Sequence, residues 1–207
     1  MRMKIKTLVV GDLATNCYIL ADEDSKQCAV IDPGDEAERV LAQVRGEGWQ
    51  VKYILLTHGH YDHTTAVPAL HEALPEAEIY IHQADSHGAG GRLFPLASQV
   101  DDLLLYDEGD TLTLGGLTIE VMNTPGHSLG SVVLKVGDVL FTGDTLFAGC
   151  CGRTDLRGGD YGQMMTSLKR LGEMEGDLLV LPGHDISSSL DRERKTNHYM
   201  MLAMSQA

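Results

Sequence analysis

Residues 51–65 read VKYILLTHGHYDHTT: a β-rich run, then three histidines and an aspartate within six positions. Four polar, ligand-capable side chains packed this closely are improbable in a core and costly as decoration of a surface. His58 and His60 alternate along an extended segment, so both point the same way and reach one ion. Asp62 and His63 then turn towards a second. Neutral imidazole and carboxylate are good zinc donors at about 2.0–2.2 Å. A chain with this segment has to end a strand where its side chains face an open site.

Two later stretches repeat the device. VMNTPGH at 121–127 and LVLPGH at 179–184 are each an apolar strand, then Pro-Gly, then His. Proline removes a ladder donor, glycine permits a sharp backbone path, and the histidine is thrown out at the rim of a sheet. His127, His184 and Asp144 of FTGDTLF add three candidates to the first four. Asp144 alone would pass for turn chemistry. Seven donors exceed one tetrahedral ion and suit two, and the count closes when Asp144 bridges. Gly59, Gly126, Gly143 and Gly183, each beside a candidate ligand, allow the tight backbone paths that such crowding needs.

Around these points strands and helices interleave. KIKTLVV, CYILADE, QCAVIDPG, AEIYIH, LLLY, TLTL, LTIEVMN, SVVLKV, DVLFTG and DLLVLPG read as strands. Helical spacing covers 35–48, with Val40, Leu41 and Val44 on one face and Gly46 and Gly48 as stop signals. A second helix is expected over 63–74, with Pro68 tolerable only near its first turn. Two more are expected over 160–174 and 191–204. Residues 86–99 form a glycine-rich loop long enough for a lid or binding segment. Two sheets with helices outside them use these elements well, within one domain spanning 1–207.

The formal charge of −14 argues against nucleic acid as a partner and disfavours anionic membrane surfaces. No apolar run approaches the ~18 residues of a spanning helix, and the LVV near the start is too short for a signal core. Cys17, Cys28, Cys150 and Cys151 form no C-x-x-C pair and read as reduced thiols, so a cytoplasmic location is expected. The other histidines, His71, His82, His87 and His198, have ordinary surface or core readings. Asp85 and His82 are remote candidates for groups behind the ligands, and His87 for a substrate contact.

THGHYDH, TPGHS, FTGDTLF and PGHD, in this order, resemble the metallo-β-lactamase superfamily over nearly the whole chain. The resemblance implies a four-layer αββα sandwich with metals at the sheet edge. It also implies a ligand assignment: His58, His60, His127 and Asp144 on one ion, Asp62, His63, His184 and Asp144 on the other. Asp144 stands where many true β-lactamases place a cysteine, which is similar to glyoxalase II. FAGCCGRTDLRGGD and ERKTN resemble the short glyoxalase-II-like hydrolases in particular. Too few residues follow His184 for the helical substrate domain of full-length glyoxalase II, which points away from glutathione as the thiol carrier.

The implied chemistry is hydrolysis of a small-molecule thioester such as a lactoyl-thiol by hydroxide shared between two divalent ions, zinc first and iron or manganese as alternatives. Asp62 would orient the hydroxide as well as bind metal. Arg153 and Asp155 of GRTD fall a short loop after Asp144; Arg153 either binds a substrate carboxylate through its fork or pairs with Asp155 to hold the loop. Arg194 and Lys195 read as a solvated helix face, and Cys151 has no assigned chemistry. The rival is a persulfide dioxygenase, whose CGRTDF resembles GCCGRTDL here, with His58, His127 and Asp144 as a two-histidine, one-carboxylate iron face. A lactonase or esterase on the same scaffold and a non-catalytic metal-binding module complete the alternatives.

Overall fold

The computed structural model describes residues 2–86 and 91–205. Its first sheet runs β1-β2-β3-β4-β5-β6: Met3–Val10, Thr15–Asp22, Gln27–Ile31, Gln50–Leu55, Glu78–His82 and Leu104–Tyr106. The first three strands are antiparallel neighbours and the rest pair in parallel. The second sheet contains β7 (Thr111–Leu114), β8 (Leu117–Asn123), β9 (Val132–Val136), β10 (Val139–Gly143), β13 (Leu179–Pro182) and β14 (Ser188–Ser189), in the order β14-β13-β10-β9-β8-β7. A small ribbon, β11 (Leu146–Phe147) with β12 (Cys150–Cys151), lies beside it.

Period-two alternation decides which layer each side chain enters. On β2 and β3, Cys17, Ile19, Cys28 and Val30 face outward to Val40, Leu41 and Val44 of α1 (Ala37–Glu47) and to Val67 and Leu70 of α3 (Val67–Ala73). Their alternates Tyr18, Leu20, Ala29 and Ile31 face Ile119, Val121, Leu134 and Phe141 of the second sheet. Tyr18 and Phe141 meet edge to face at 5.3 Å across that layer. On the far side Val133, Leu140 and Val180 pack under Met164, Leu168 and Leu171 of α5 (Tyr161–Gly172) and Met200 of α7 (His198–Ser205). Helix, sheet, sheet, helix: the expected four layers are present.

Three expectations need correction. The helix over 63–74 is two pieces, α2 (Tyr61–Thr64) and α3, and Pro68 sits in the first turn of α3 where its missing N–H costs nothing. The helix over 191–204 is also two, α6 (Leu190–Thr196) and α7, broken at Asn197. Asn197 turns extended because its side chain is worth more elsewhere: Oδ1 accepts from Tyr199 N at the start of α7, and Nδ2 donates to Cys150 O. The 86–99 loop is partly structured. Gln83–Ser86 is a short helix, α4, and Leu96–Ser98 a 3-10 turn, with Phe94, Leu96 and Val100 buried as apolar anchors. His87 lies outside the described residues.

The C-terminal ends of β4, β8, β10 and β13 meet at one rim. Val132 N donates to Thr57 O and links the sheets there, while Gly183 N donates to Gly143 O.

Candidate metal centre

All seven sequence candidates arrive at that rim. His58 Nε2 lies 3.1 Å from His60 Nδ1, and His127 Nε2 lies 2.9 Å from the same nitrogen. His63 Nε2 is 3.3 Å from His184 Nε2, and Asp62 Oδ2 is 3.2 Å from His184 Nε2. Asp144 stands between the groups, with Oδ1 3.3 Å from His63 Nε2 and Oδ2 3.3 Å from His127 Nε2. Its Oδ1 is buried without a hydrogen-bond partner. His58, His60, His63, His127 and Asp144 are buried, while Asp62 and His184 are partly open to the cleft.

The outer nitrogens explain which way the rings face. His127 Nδ1 donates to Arg153 O at 2.8 Å and His184 Nδ1 to Leu13 O at 3.1 Å. A carbonyl only accepts, so in both rings the proton sits on Nδ1 and the lone pair on the inward Nε2. His63 Nδ1 faces Asp32 Oδ2 at 3.0 Å, which orients that ring likewise. Inward lone pairs therefore converge from several sides on two small volumes, and the donor types and their fixed tautomers suit two cations shared through Asp144.

The charge balance points the same way. Burial, then the neighbouring His63, His60 and His127, hold His58 well below the usual imidazole range. Burial and the nearby His127 and His63 bring His60 down to about 3. Burial also opposes charge on His63, but Asp144 and Asp32 overcome it and raise that ring well above its ordinary value. His184 is raised too, with burial outweighed by its contact with Asp62 and by Asp144. Burial pushes Asp62 and Asp144 up, yet the surrounding imidazoles leave both below the ordinary carboxylate range. Without cations the site thus draws protons onto His63 and His184. A metal ion supplies the same positive charge by accepting those lone pairs in place of the protons.

Backbone devices hold the ligands in place. Asn16 Nδ2 donates to Pro182 O and Asp185 O, and Tyr18 Oη to Pro182 O, fixing the turn that carries His184. Gly143 has φ +46°, and a Cβ there would meet Thr57 Oγ1 at 2.3 Å. Asp32, itself at φ +50°, accepts from Thr57 N and Thr57 Oγ1 as well as facing His63. Sequence reading missed Asp32, Asn16 and Tyr18; the IDPG around Asp32 looked like an ordinary strand end. Asp85, a remote candidate, is buried against Gly59, Ser128 and Gly130, whereas His82 lies away from the rim beside Asp107 and Asn123.

Beside the rim is a cleft of about 500 Å³, lined by His60, Asp62, His127, Asp144 and His184 with Leu13, Tyr61, Leu93, Phe147, Leu156 and Arg153. The Arg153 fork grips Asp155 through two hydrogen bonds of 2.7 and 2.8 Å, both groups largely exposed. Arg153 therefore reaches the cleft and makes the loop pair at once.

A family model for the metallo-beta-lactamase superfamily matches residues 10–184. The chain belongs to the metallo-β-lactamase superfamily. Hydroxyacylglutathione hydrolase GloC of Haemophilus influenzae is 32% identical over 209 residues, spanning 96% of this chain and 98% of its own. The structure of ETHE1 from Myxococcus xanthus matches with a TM-score of 0.83 at 28% identity, over 98% of this chain and 91% of that one. TTHA1623 in a di-iron-bound form matches with a TM-score of 0.82 at 35% identity, over 94% of this chain and 99% of that one. The four layers are thus those of a superfamily made up mostly of hydrolases. Among the described residues no helix is long and apolar enough to cross a membrane.

Proposed function

We propose that the protein is a hydrolase that works with two divalent cations and cleaves a thioester of the lactoyl-thiol kind. The observation that carries this reading is the approach of His63 Nε2 to His184 Nε2 at 3.3 Å beside Asp144. Both rings have an outer acceptor for their other nitrogen, so two lone pairs face each other unless a proton or a cation lies between them. His58 Nε2, His60 Nδ1 and His127 Nε2 come together next to Asp144 Oδ2. Two ions there would bring a water towards hydroxide at neutral pH and polarise the carbonyl it attacks.

The remaining work falls to the chain's own groups. Asp62 Oδ2, at the cleft wall, accepts a hydrogen bond from the attacking water and aims it. Leu13, Leu93, Phe147 and Leu156 give the cleft apolar walls beside the polar rim. Arg153, steadied by Asp155, offers the cleft a cation for a carboxylate on the acyl or thiol portion. Glutathione stays among the candidate carriers, since a relative of matching length bears the name hydroxyacylglutathione hydrolase.

A second reading, a persulfide dioxygenase using one iron on His58, His127 and Asp144, is favoured by GCCGRTDL and by the likeness to ETHE1 of M. xanthus. One experiment separates the two. Metal content per chain is measured on protein made without added metal, alongside cleavage of lactoyl thioesters of glutathione and of neutral thiols, and oxygen uptake with a persulfide. Two ions per chain with thioester cleavage and no oxygen uptake supports the hydrolase. One iron with oxygen uptake overturns it in favour of the dioxygenase.

A further inference from the structure

We infer that Asp85 is a positioning residue for the cation held by His60 and His127, and not for the cation held by Asp62, His63 and His184. The inference rests on the two-cation reading above. Asp85 lies in α4, directly after β5, and is 3% exposed. Its Oδ2 accepts from Gly59 N at 2.9 Å and from Ser128 Oγ at 2.7 Å, and its Oδ1 accepts from Gly130 N at 2.8 Å. Gly59 is the residue between His58 and His60, and Ser128 directly follows His127. One buried carboxylate therefore ties together two ligand loops that enter from different sheets.

The glycines show how closely the three segments are drawn in. A Cβ on Gly59 would come within 2.9 Å of Asp85 O and 3.0 Å of Asp85 Cβ, and one on Gly130 within 2.7 Å of Asp85 Cγ. Only glycine lets both backbones reach the carboxylate. Ser128 N donates to Ser131 Oγ, and Ser131 Oγ also meets Ser128 Oγ at 2.7 Å, so the hydroxyl that Asp85 receives is itself fixed. Three donors thus converge on the one carboxylate, two at Oδ2 and one at Oδ1.

The other half of the site has a separate support. His63 Nδ1 faces Asp32 Oδ2, and His184 Nδ1 donates to Leu13 O. Thr57 lies between Asp32 and His58, whose Nδ1 is 3.2 Å from Thr57 Oγ1. The contrast between the two carboxylates therefore rests on His60 and His127.

The test is a zinc chloride titration of the full-length, metal-free chain, with ions counted by native mass spectrometry. His127→Ala and His184→Ala serve as references for loss of one ion or the other. Asp85→Asn keeps the side chain's shape, but whichever way the amide turns, its NH2 meets a backbone N–H of Gly59 or Gly130. The expected result is one ion bound as in the wild type and the other weakened about 10–100-fold, in the pattern of His127→Ala. Asp32→Asn is expected to follow His184→Ala instead. Ser128→Ala, which removes one of three donors and leaves the fold intact, should weaken the same ion as Asp85→Asn to a smaller extent. Equal weakening of both ions, or of neither, in Asp85→Asn or in Ser128→Ala overturns the assignment. A wild-type chain that takes up fewer than two ions refutes the two-cation reading itself.

Discussion

Gly183 packs directly against the side chains of two candidate ligands, and Gly183→Ala measures what that closeness is for. A Cβ at this position would lie 2.3 Å from Asp144 Oδ1 and 2.7 Å from His63 Cε1, against the 3.4 Å at which ordinary contact begins. The carboxylate would have to retreat by about 1 Å, a misplacement of the size that costs roughly 100-fold in rate when it occurs at reacting groups. Cation sites tolerate only about ±0.2 Å in ligand distance, so on the two-cation reading both ions would lose a ligand at once. The expected outcome is a folded protein, weakened by the ~1–3 kcal/mol typical of overpacking, with zinc affinity reduced at least 100-fold. Urea unfolding gives the first number and a chelator-competition titration the second. Gly46→Ala is the control: this residue is exposed near the end of α1, with nothing within 4 Å of the added methyl, and should gain up to about 1 kcal/mol with unchanged zinc binding. Gly183→Ala protein that binds two zinc ions with wild-type affinity would refute the reasoning.

Two further outcomes follow from charge. Burial raises the thiol of Cys17 and pushes that of Cys28 up to about 12, so the folded chain keeps protons that the unfolded chain releases near pH 8.5. Stability is therefore unaffected below that pH and falls above it by about 1.4 kcal/mol per pH unit per thiol. Urea midpoints between pH 8 and 10.5 should fall less steeply in Cys28→Ala than in the wild type, and equal slopes would contradict the account. Arg153→Ala should leave the thermal midpoint unchanged, since the Arg153–Asp155 pair is largely exposed. It should raise KM for a carboxylate-bearing thioester and spare kcat, and an unchanged KM would remove Arg153 from substrate binding.

The sequence announces the ligands more clearly than it does what holds them. The seven candidate ligands are polar residues of metal-binding type, either just beyond the end of an apolar strand or clustered in the HGHYDH stretch that follows β4, local patterns that need no knowledge of the partners. The two-sheet architecture was legible for a similar reason: alternation on β2 and β3 is apolar on both faces, which demands a layer on each side. The supporting groups have no such signature. Asp32 is one aspartate before a Pro-Gly turn, and only the register of β3 against β4 brings it to Thr57 and His63. Asn16 and Tyr18 act through hydrogen bonds to a turn more than 160 residues away. Asn197 hides its helix break in a stretch of unbroken helical composition, because the break is decided by tertiary partners at Cys150 and Phe147.

This division between ligands and support bears on how metal and folding are coupled. Three apolar layers close without any of the seven ligands, and the outer nitrogens of His63, His127 and His184 are held by an aspartate and two carbonyls that remain when the ions leave. A chain of this kind does not need the ions to fold, unlike a small zinc domain whose binding energy is its folding energy. Chelation should therefore leave a cooperative unfolding transition with native secondary structure, but a weaker one, because inward lone pairs and buried carboxylates lose their counter-charge. Each ion at a thousandfold excess over its Kd should restore about 4 kcal/mol. Above the ordinary imidazole range the ion-free chain should also unfold more easily as His63 and His184 lose their protons with rising pH, since raised imidazoles stabilise only while protonated, whereas the depressed His58 and His60 act in the opposite direction only through that range. With zinc bound that alkaline loss should vanish, because the nitrogens then face metal instead of a proton. Urea midpoints between pH 6 and 8, with and without zinc, measure the difference; parallel profiles would show that the counter-charge in this site is not supplied by a cation.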